Sequence, residues 1–436
     1  MRVSGGRRHW WVRGIGLLCV AALVAVACGD GEAPEGAQQP RGGTPATGEP
    51  IRVGFLVDQT GALAAYGYAH QAVGEAAVEV INSQGGVDGR PIELVIEDTE
   101  SDPAVAAPKA RRLVESENVD FLLGSNTSAV VLAIAPIAQE LETVYFPTAG
   151  GALLTEPGKG NRYVFDFNTN VKQEVRGAVN FITSNLDATN WMTSVVDYSW
   201  GWDNELSFAR EAQAAGLNVV GDVRVPLGEA NWLAHLQGEV PEEAQGVYFA
   251  NFGTDFLSFM EGLSTLAPDI QKIGANYVLS GQDLGTIPEA EGMYVMSGYP
   301  QFSSAINSEY DAEYREIIGM DETGLEDGTG EPLVPSYQWS TWEALWAIKE
   351  IGEEIGWEDK SDTCEFIGTL EGYQFEEGLA HPEGPKSFRP EDHLSLKGAW
   401  VEQLVGGQLE VAARIESEAM AYEPVVNYPE EQPLGC

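Results

Sequence analysis

The sequence predicts an α/β protein of two lobes, each built on a mostly parallel sheet. Two patterns carry that reading. Apolar β-branched runs alternate with helix-period segments through the first half, which is the signature of βαβ units, and the alternation then recurs as a second block. Length agrees. About 385 residues follow Pro50, more than a single core usually serves.

The first unit is Ile51 to Val57 as a strand, a turn through Asp58-Gln59-Thr60-Gly61, and a helix from Ala69 to Gln84. That helix places Val73, Ala76, Ala77, Val80 and Ile81 on one face, and Gly85-Gly86 stops it. Pro91 to Asp98 is the next strand and Pro103 to Glu117 the next helix. Val119 to Gly124 is a strand, Ala129 to Leu141 a helix, and Val144 to Pro147 a strand. The second block has strands near Thr193 to Asp197, Asn218 to Val225, Gly246 to Ala250 and Lys272 to Asn276. The stretch from Gln301 to Leu370 is helix-rich. In it Trp339, Trp342, Leu345 and Trp346 recur at helical spacing, the pattern of a packed helix, and the acidic Gly-rich run Asp321 to Glu331 reads as a solvated loop lacking the fixed EF-hand spacing.

At the N-terminus, Arg2, Arg7, Arg8 and Arg13 precede the apolar run Ile15 to Val26, which fits a secretory signal and is too short to span a bilayer. Ala25-Val26-Ala27-Cys28 resembles the lipobox of bacterial lipoproteins, with Cys28 as the lipidated residue and Ala25 where a larger aliphatic is usual. Arg7-Arg8 followed by His9-Trp10-Trp11 also resembles a twin-arginine signal, so both export routes stay open. Residues 28–50, rich in Gly, Pro and Ala with no apolar period, have the composition of a flexible tether.

The formal charge is -43, and removing residues 1–27, with four arginines and no acid, takes it to -47. Such a balance excludes nucleic acid as a partner. With only eight lysines and acids scattered over helix-like segments, the surface reads as one adapted to high salt, where self-repulsion is screened, with an ordinary acidic secreted protein as the alternative. Cys364 and Cys436 remain in the body as a possible disulfide, which would close a loop worth about 4 kcal/mol by chain entropy.

Several stretches together resemble the branched-chain-amino-acid-type solute-binding proteins of ABC transporters, the Leu/Ile/Val-binding protein family with the type I periplasmic binding fold. They are IRVGFLVDQTGALAAYG (51–67), AAVEVINSQGGVDGRPIELVIEDTESDPAVAAPKARRLV (76–114), FLLGSNTSAVVLAIAPIAQELETVYFPTAGG (121–151) and FRPEDH (388–393). The likeness is strongest in the first hundred of these residues and weakens from Pro300 to Leu370. It implies Rossmann-like lobes joined by a multi-strand hinge, with a ligand cleft between them. Lobe 1 is expected from 51–167 with 300–375 and lobe 2 from 168–299 with 376–425, followed by a C-terminal tail at 426–436. It implies an exported monomer anchored by lipid to the outer face of the cytoplasmic membrane, without cofactor or metal, that hands a small-molecule ligand to a transporter permease.

In open α/β sheets, ligands settle at the carboxyl ends of strands, where helix N-termini converge. Ser125-Asn126-Thr127-Ser128 lies between a strand and a helix, so Thr127 and Ser128 are candidates. Ser128 stands where the family's ligand-binding serine sits, and a plain helix cap is the alternative. Thr148-Ala149-Gly150-Gly151 brings bare backbone to the same edge. Gly151 lacks the hydroxyl usual in the family, so one side-chain bond that the resemblance implies is missing or has moved to Thr148, and both residues are candidates. Trp200, before Gly201, takes the family's ring position, with Tyr66 facing it from the other lobe. Phe252 and Asp255 follow a strand at the same edge. Asn276 stands where amino-acid binders of the family carry an acid for the ligand's ammonium. A neutral amide cannot supply that pairing, which favours a ligand without an amine, unless Asp255 substitutes or the register slips by one.

No GxSxG, HExxH, P-loop or strand-following GxGxxG occurs, so no catalytic residue is assigned and the chain reads as a binder rather than an enzyme. A ligand-sensing receptor module, and behind it a secreted hydrolase, are the competing classes. The halophilic reading has a direct check: the melting temperature is expected to rise between dilute buffer and molar salt, and no gain would refute it.

Overall fold

The computed structural model describes residues 46–150, 154–276, 278, 286–301, 306, 309–321, 324–326, 333 and 335–435. The expected signal segment 1–27, Cys28, Gly151, Cys436 and much of the acidic loop lie outside the described residues. Cys364 is disulfide-bonded, while Cys436, the partner expected for it, is among those outside.

Strands and helices alternate first as β1 (Ile51–Val57), α1 (Ala64–Ser83), β2 (Ile92–Asp98), α2 (Pro103–Glu115), β3 (Phe121–Gly124), α3 (Ser128–Glu140) and β4 (Tyr145–Phe146). They form a wholly parallel sheet in the order β2-β1-β3-β4. The second series is α4 (Val171–Asn185), β5 (Asn190–Val196), α5 (Ser199–Ala214), β6 (Asn218–Val225), α6 (Trp232–Leu236), β7 (Gly246–Ala250), α7 (Thr254–Leu266), β8 (Gln271–Gly274) and β9 (Tyr294–Ser297). After α8 (Glu309–Ile317), α9 (Pro335–Ile355) and α10 (Thr363–Leu370) come the short strands β10 (Gln374–Phe375), β11 (Lys386–Phe388) and β12 (Ser395–Leu396). The hairpin β13 (Ala399–Val405) and β14 (Gln408–Ile415) then leads to the short helices α11 (Ser417–Met420) and α12 (Tyr428–Glu431). The second sheet runs β14-β13-β9-β8-β7-β5-β6, parallel except where β13 pairs antiparallel with β9 and β14.

Each sheet has its own apolar core. One joins Ile51, Phe55, Leu122 and Phe146 to Trp342, Phe366 and Phe388; the other joins Val175, Trp191, Phe249, Met296 and Val401. The chain therefore crosses between cores three times, at Phe167–Val171, Met296–Tyr299 and Phe388–Ala399. This is the two-sheet, multi-strand-hinge architecture that the sequence predicts. The tryptophan-rich segment is a packed helix, with Trp339, Trp342, Leu345 and Trp346 all buried.

α1 starts five residues earlier than its periodicity predicts. The Asp98 carboxylate accepts from the Thr60 N–H at 3.1 Å and the Thr60 hydroxyl at 2.6 Å, and the Ser101 hydroxyl accepts from the Leu63 N–H at 3.2 Å. These contacts from the end of β2 fix the turn and let the helix begin at Ala64, before its apolar stripe. Gly67 belongs to that early turn because a Cβ there would stand 2.0 Å from the Asp58 carbonyl oxygen.

The crossings are charged inside. Lys397 donates to the Gly298 carbonyl at 2.8 Å, pairs with Glu383 at 3.1 Å and lies 3.6 Å from the Trp339 ring centroid; Lys386 pairs with both Glu343 and Glu383. Burial, followed by the charge of Glu383, raises the Glu343 carboxyl to about 7. Burial also raises Glu402 to about 7 and Asp166 to about 8. A carboxyl raised in the folded state favours folding while protonated, so its contribution is lost as pH rises through the folded value. The melting temperature is therefore expected to fall from about pH 5, just above the unfolded carboxyl value, to about pH 8, with Glu402→Gln flattening part of the fall. A level calorimetric profile across that window would count against these raised carboxyls.

Candidate ligand-binding site

The loop between β3 and α3 is organised by a carboxylate at the end of β1. Asp58 is fully buried. It accepts from the Thr127 hydroxyl at 2.9 Å, the Asn126 N–H at 3.0 Å and the hydroxyls of Ser125 and Thr99. Gly124 permits the sharp entry to this loop. Its φ is +88°, and a Cβ would meet the Leu56 carbonyl oxygen at 2.1 Å.

The capping expected of Ser128 is corrected here. Thr127 occupies the cap position and makes no side-chain cap bond, because its hydroxyl is spent on Asp58; Ser128 is the first residue inside the helix. The Tyr198 phenol lies near Ser199, Ala129 and the buried Ser128, and burial raises it above its ordinary range; its hydroxyl makes no hydrogen bond among the described residues. Tyr198 caps α5 in the second series, so it links the two bodies at the N-terminus of α3.

Thr148 and Ala149 are buried beside this loop, the Thr148 N–H donating to the Ser125 carbonyl at 3.3 Å. The Thr148 hydroxyl, 1% exposed, has no hydrogen-bond partner among the described residues. Gly150 is buried next to it, and Gly151 is outside the described residues.

Three rings meet across the cores. Tyr66, from α1, packs against the second core with its ring 6.1 Å from that of Phe252 and nearly perpendicular to it; Phe252 in turn lies 5.6 Å from Trp200. Gly201 keeps this start of α5 against β5, since a Cβ there would stand 2.0 Å from the Val196 carbonyl oxygen.

Asp255 is engaged elsewhere. Its carboxylate accepts from the N–H groups of Gly228 and Glu229 at 2.9 and 3.1 Å and from the Trp232 indole at 3.1 Å, which commits it to the loop before α6. Asn276, two residues past β8, is buried and donates to the Glu174 carboxylate at 3.0 Å. Sequence reasoning missed Asp58, Tyr198 and Glu174. Asp58 read as a turn residue, although an acid closing a strand ahead of hydroxyl-rich segments is a usable signal. Glu174 lies in no motif that the sequence singles out, and only the crossing brings it to Asn276. Among the described residues no group of three His, Cys, Asp or Glu side chains could hold a metal ion.

Donors at a helix start, an unpaired hydroxyl and an aromatic wall from the opposite body form a place for an anionic head on an apolar frame. Residues 50–408 match the family model described as periplasmic binding protein. The chain belongs to the periplasmic binding protein family. Its members are extracytoplasmic, and this chain has the type I fold. It is 24% identical to a Leu/Ile/Val-binding protein homolog of Brucella melitensis, over 81% of this chain and 87% of that one. Curated relatives are matched over 30% to 90% of their own lengths. In fold it is similar to a solute-binding protein of an ABC transporter from R. palustris in complex with benzoate, with a TM-score of 0.71, 20% identity and coverage of 84% of this chain and 96% of that one. It is likewise similar to a leucine-binding protein of Thermotoga maritima, with a TM-score of 0.70, 19% identity and coverage of 84% and 99%.

The role of Asp58 is testable apart from any ligand. Asp58→Asn removes a buried charged acceptor and should cost about 2 kcal/mol of stability or more. It should also strip hydrogen-exchange protection from Asn126 and Thr127, whereas unchanged protection would show that the loop holds itself.

Proposed function

We propose that this periplasmic binding protein is a lipid-anchored extracytoplasmic receptor of an ABC importer. It takes a small polar ligand with a carboxylate, of the amino-acid, amide or small-acid class, between its two bodies. The division expected for those bodies is 51–167 with 300–375 and 168–299 with 376–425; because Ala380 and Phe388 pack with the first core, the third crossing is best drawn between Phe388 and Ala399. Closure about the three crossings brings the bodies together over the ligand, and the closed form is what a permease engages. A ligand drives such a step only through contacts that differ between open and closed states.

The observation that carries this reading is the contact of Tyr66 with Phe252, which in turn meets Trp200, together with a Thr148 hydroxyl that has no hydrogen-bond partner among the described residues. The carboxylate would take the Ser128 and Thr148 hydroxyls and the first free N–H groups of α3, and the rings would enclose its apolar part. Benzoate and leucine, named for the two structural neighbours, have a carboxylate on an apolar frame in common. Lipidation at Cys28 supports retention at the outer face of the membrane in this scheme.

A thermal-shift screen in high salt against amino acids, amides, urea and aromatic acids tests the proposal. A ligand at a hundred times its dissociation constant should stabilise by about 2.7 kcal/mol, a shift of a few degrees. Trp200→Ala should then weaken the responding ligand by roughly tenfold or more, since one wall of the enclosure is lost. Unchanged affinity would remove Trp200 from the site, and no response to any class would overturn the binding assignment.

A further inference from the structure

The acid that Asn276 does not provide stands on a neighbouring element. Glu174, in the first turn of α4, is 1% exposed. Its Oε1 accepts from the Thr169 hydroxyl at 2.8 Å and from the Asn276 amide at 3.0 Å. Its Oε2 is buried and has no hydrogen-bond partner among the described residues. Two donors thus fix one oxygen and leave the other unmet by the described residues. A buried carboxyl oxygen is costly to leave unpaired.

The titratable groups facing Glu174 come from three elements. Asp166 belongs to the segment before the first crossing, Tyr248 to β7, and Lys397 to the segment before β13. None of them is placed to satisfy Oε2. The Tyr248 hydroxyl donates to Asn204 at 2.6 Å, Lys397 is committed to Glu383 and the Gly298 carbonyl, and Asp166 accepts from Asn168 at 2.9 Å.

We propose that Glu174 Oε2 is the subsite for a cationic nitrogen of the ligand, with Asn276 and Thr169 holding the carboxyl in place. This rests on the reading that solute binds between the two bodies. It narrows the ligand to a small carboxylate bearing an amine, amidine or guanidine, with the carboxylate at α3 and the nitrogen at α4. The acid has moved from the end of β8 to the start of α4, and the amide at 276 has become its support.

A proton accompanies the step. Burial raises the empty carboxyl to about 7, while Asn276, Thr169 and Lys397 pull the other way. Below that pH, Glu174 carries its proton on the unpaired oxygen. When the cationic nitrogen arrives, the carboxyl ionises, the N–H of the ligand donates to Oε2, and the displaced proton leaves to solvent.

Matched pairs of probes test this on the purified protein: L-phenylalanine against 3-phenylpropionate and L-leucine against 4-methylpentanoate. Titration calorimetry at pH 6 in two buffers of different ionisation heat gives affinity and proton release together. The amine-bearing member is expected to bind roughly tenfold tighter or better and to release up to one proton. Glu174→Gln should abolish both the preference and the release while leaving the deaminated member within about twofold. The Glu174→Gln, Asn276→Asp double variant should restore the preference, which a merely unfolded protein could not do. Equal binding of both members, or a preference that survives Glu174→Gln, overturns the subsite while the cleft reading stands. Failure of every probe on the unaltered protein overturns both.

Discussion

Asp58 is wholly withdrawn from water, and its carboxylate holds segments that are far apart in sequence. It takes a hydroxyl from the turn after β2 and two hydroxyls and an N–H from the loop after β3. A buried charge of this kind is tolerable only when its oxygens are satisfied, so the loops that satisfy it have little freedom to be elsewhere. The start of α3 depends on that constraint. Because Thr127 spends its hydroxyl on Asp58, the first N–H groups of the helix are left without a side-chain cap, and Ser128 is set just inside the helix. The same arrangement puts Ser128 opposite Tyr198 of the other body. One carboxylate at a strand end thus fixes the loop in front of α3.

The three crossings carry a second electrostatic constraint. Glu343, Glu383, Lys386, Lys397 and His381 are buried together where the chain passes between cores, with Lys397 over the Trp339 ring. Burial raises the Glu383 carboxyl, but Lys386 and Lys397 outweigh it and hold the group well below the usual carboxylate range. Apolar residues could fill such a space at no greater cost in stability. What a paired cluster adds is a defined arrangement, since every member loses heavily if its neighbours shift. At a junction between two cores, that favours discrete relative positions of the bodies over a continuum.

The acids of this chain divide by environment. Among the described residues many lie at the surface and add to its negative potential, whereas Asp58, Glu174, Glu343, Glu383 and Glu402 are buried and each has its own set of donors. Composition describes the first group well. It is silent on the second, because a net charge sums over residues and a buried carboxyl acts through its contacts.

The sequence by itself determined the architecture: two series of βαβ units, their strand order of appearance, and the loops at the carboxyl ends of strands from which a site would be built. That much is legible because period and turn residues are local. The rings of Tyr66, Trp200 and Phe252 were also within reach, since a position shortly after a strand end limits where a side chain can go, although Tyr66 and Trp200 stand in the first turns of α1 and α5 rather than in loops. Tertiary structure alone decided the rest. Neighbouring loops set the start of α1 at Ala64. Asp255 turned to the loop before α6, and Asn276 became a donor to Glu174, 102 residues away in sequence. Such pairings are fixed by packing and by the cost of leaving a buried polar atom unsatisfied, quantities that arise only once distant segments share a low-dielectric space.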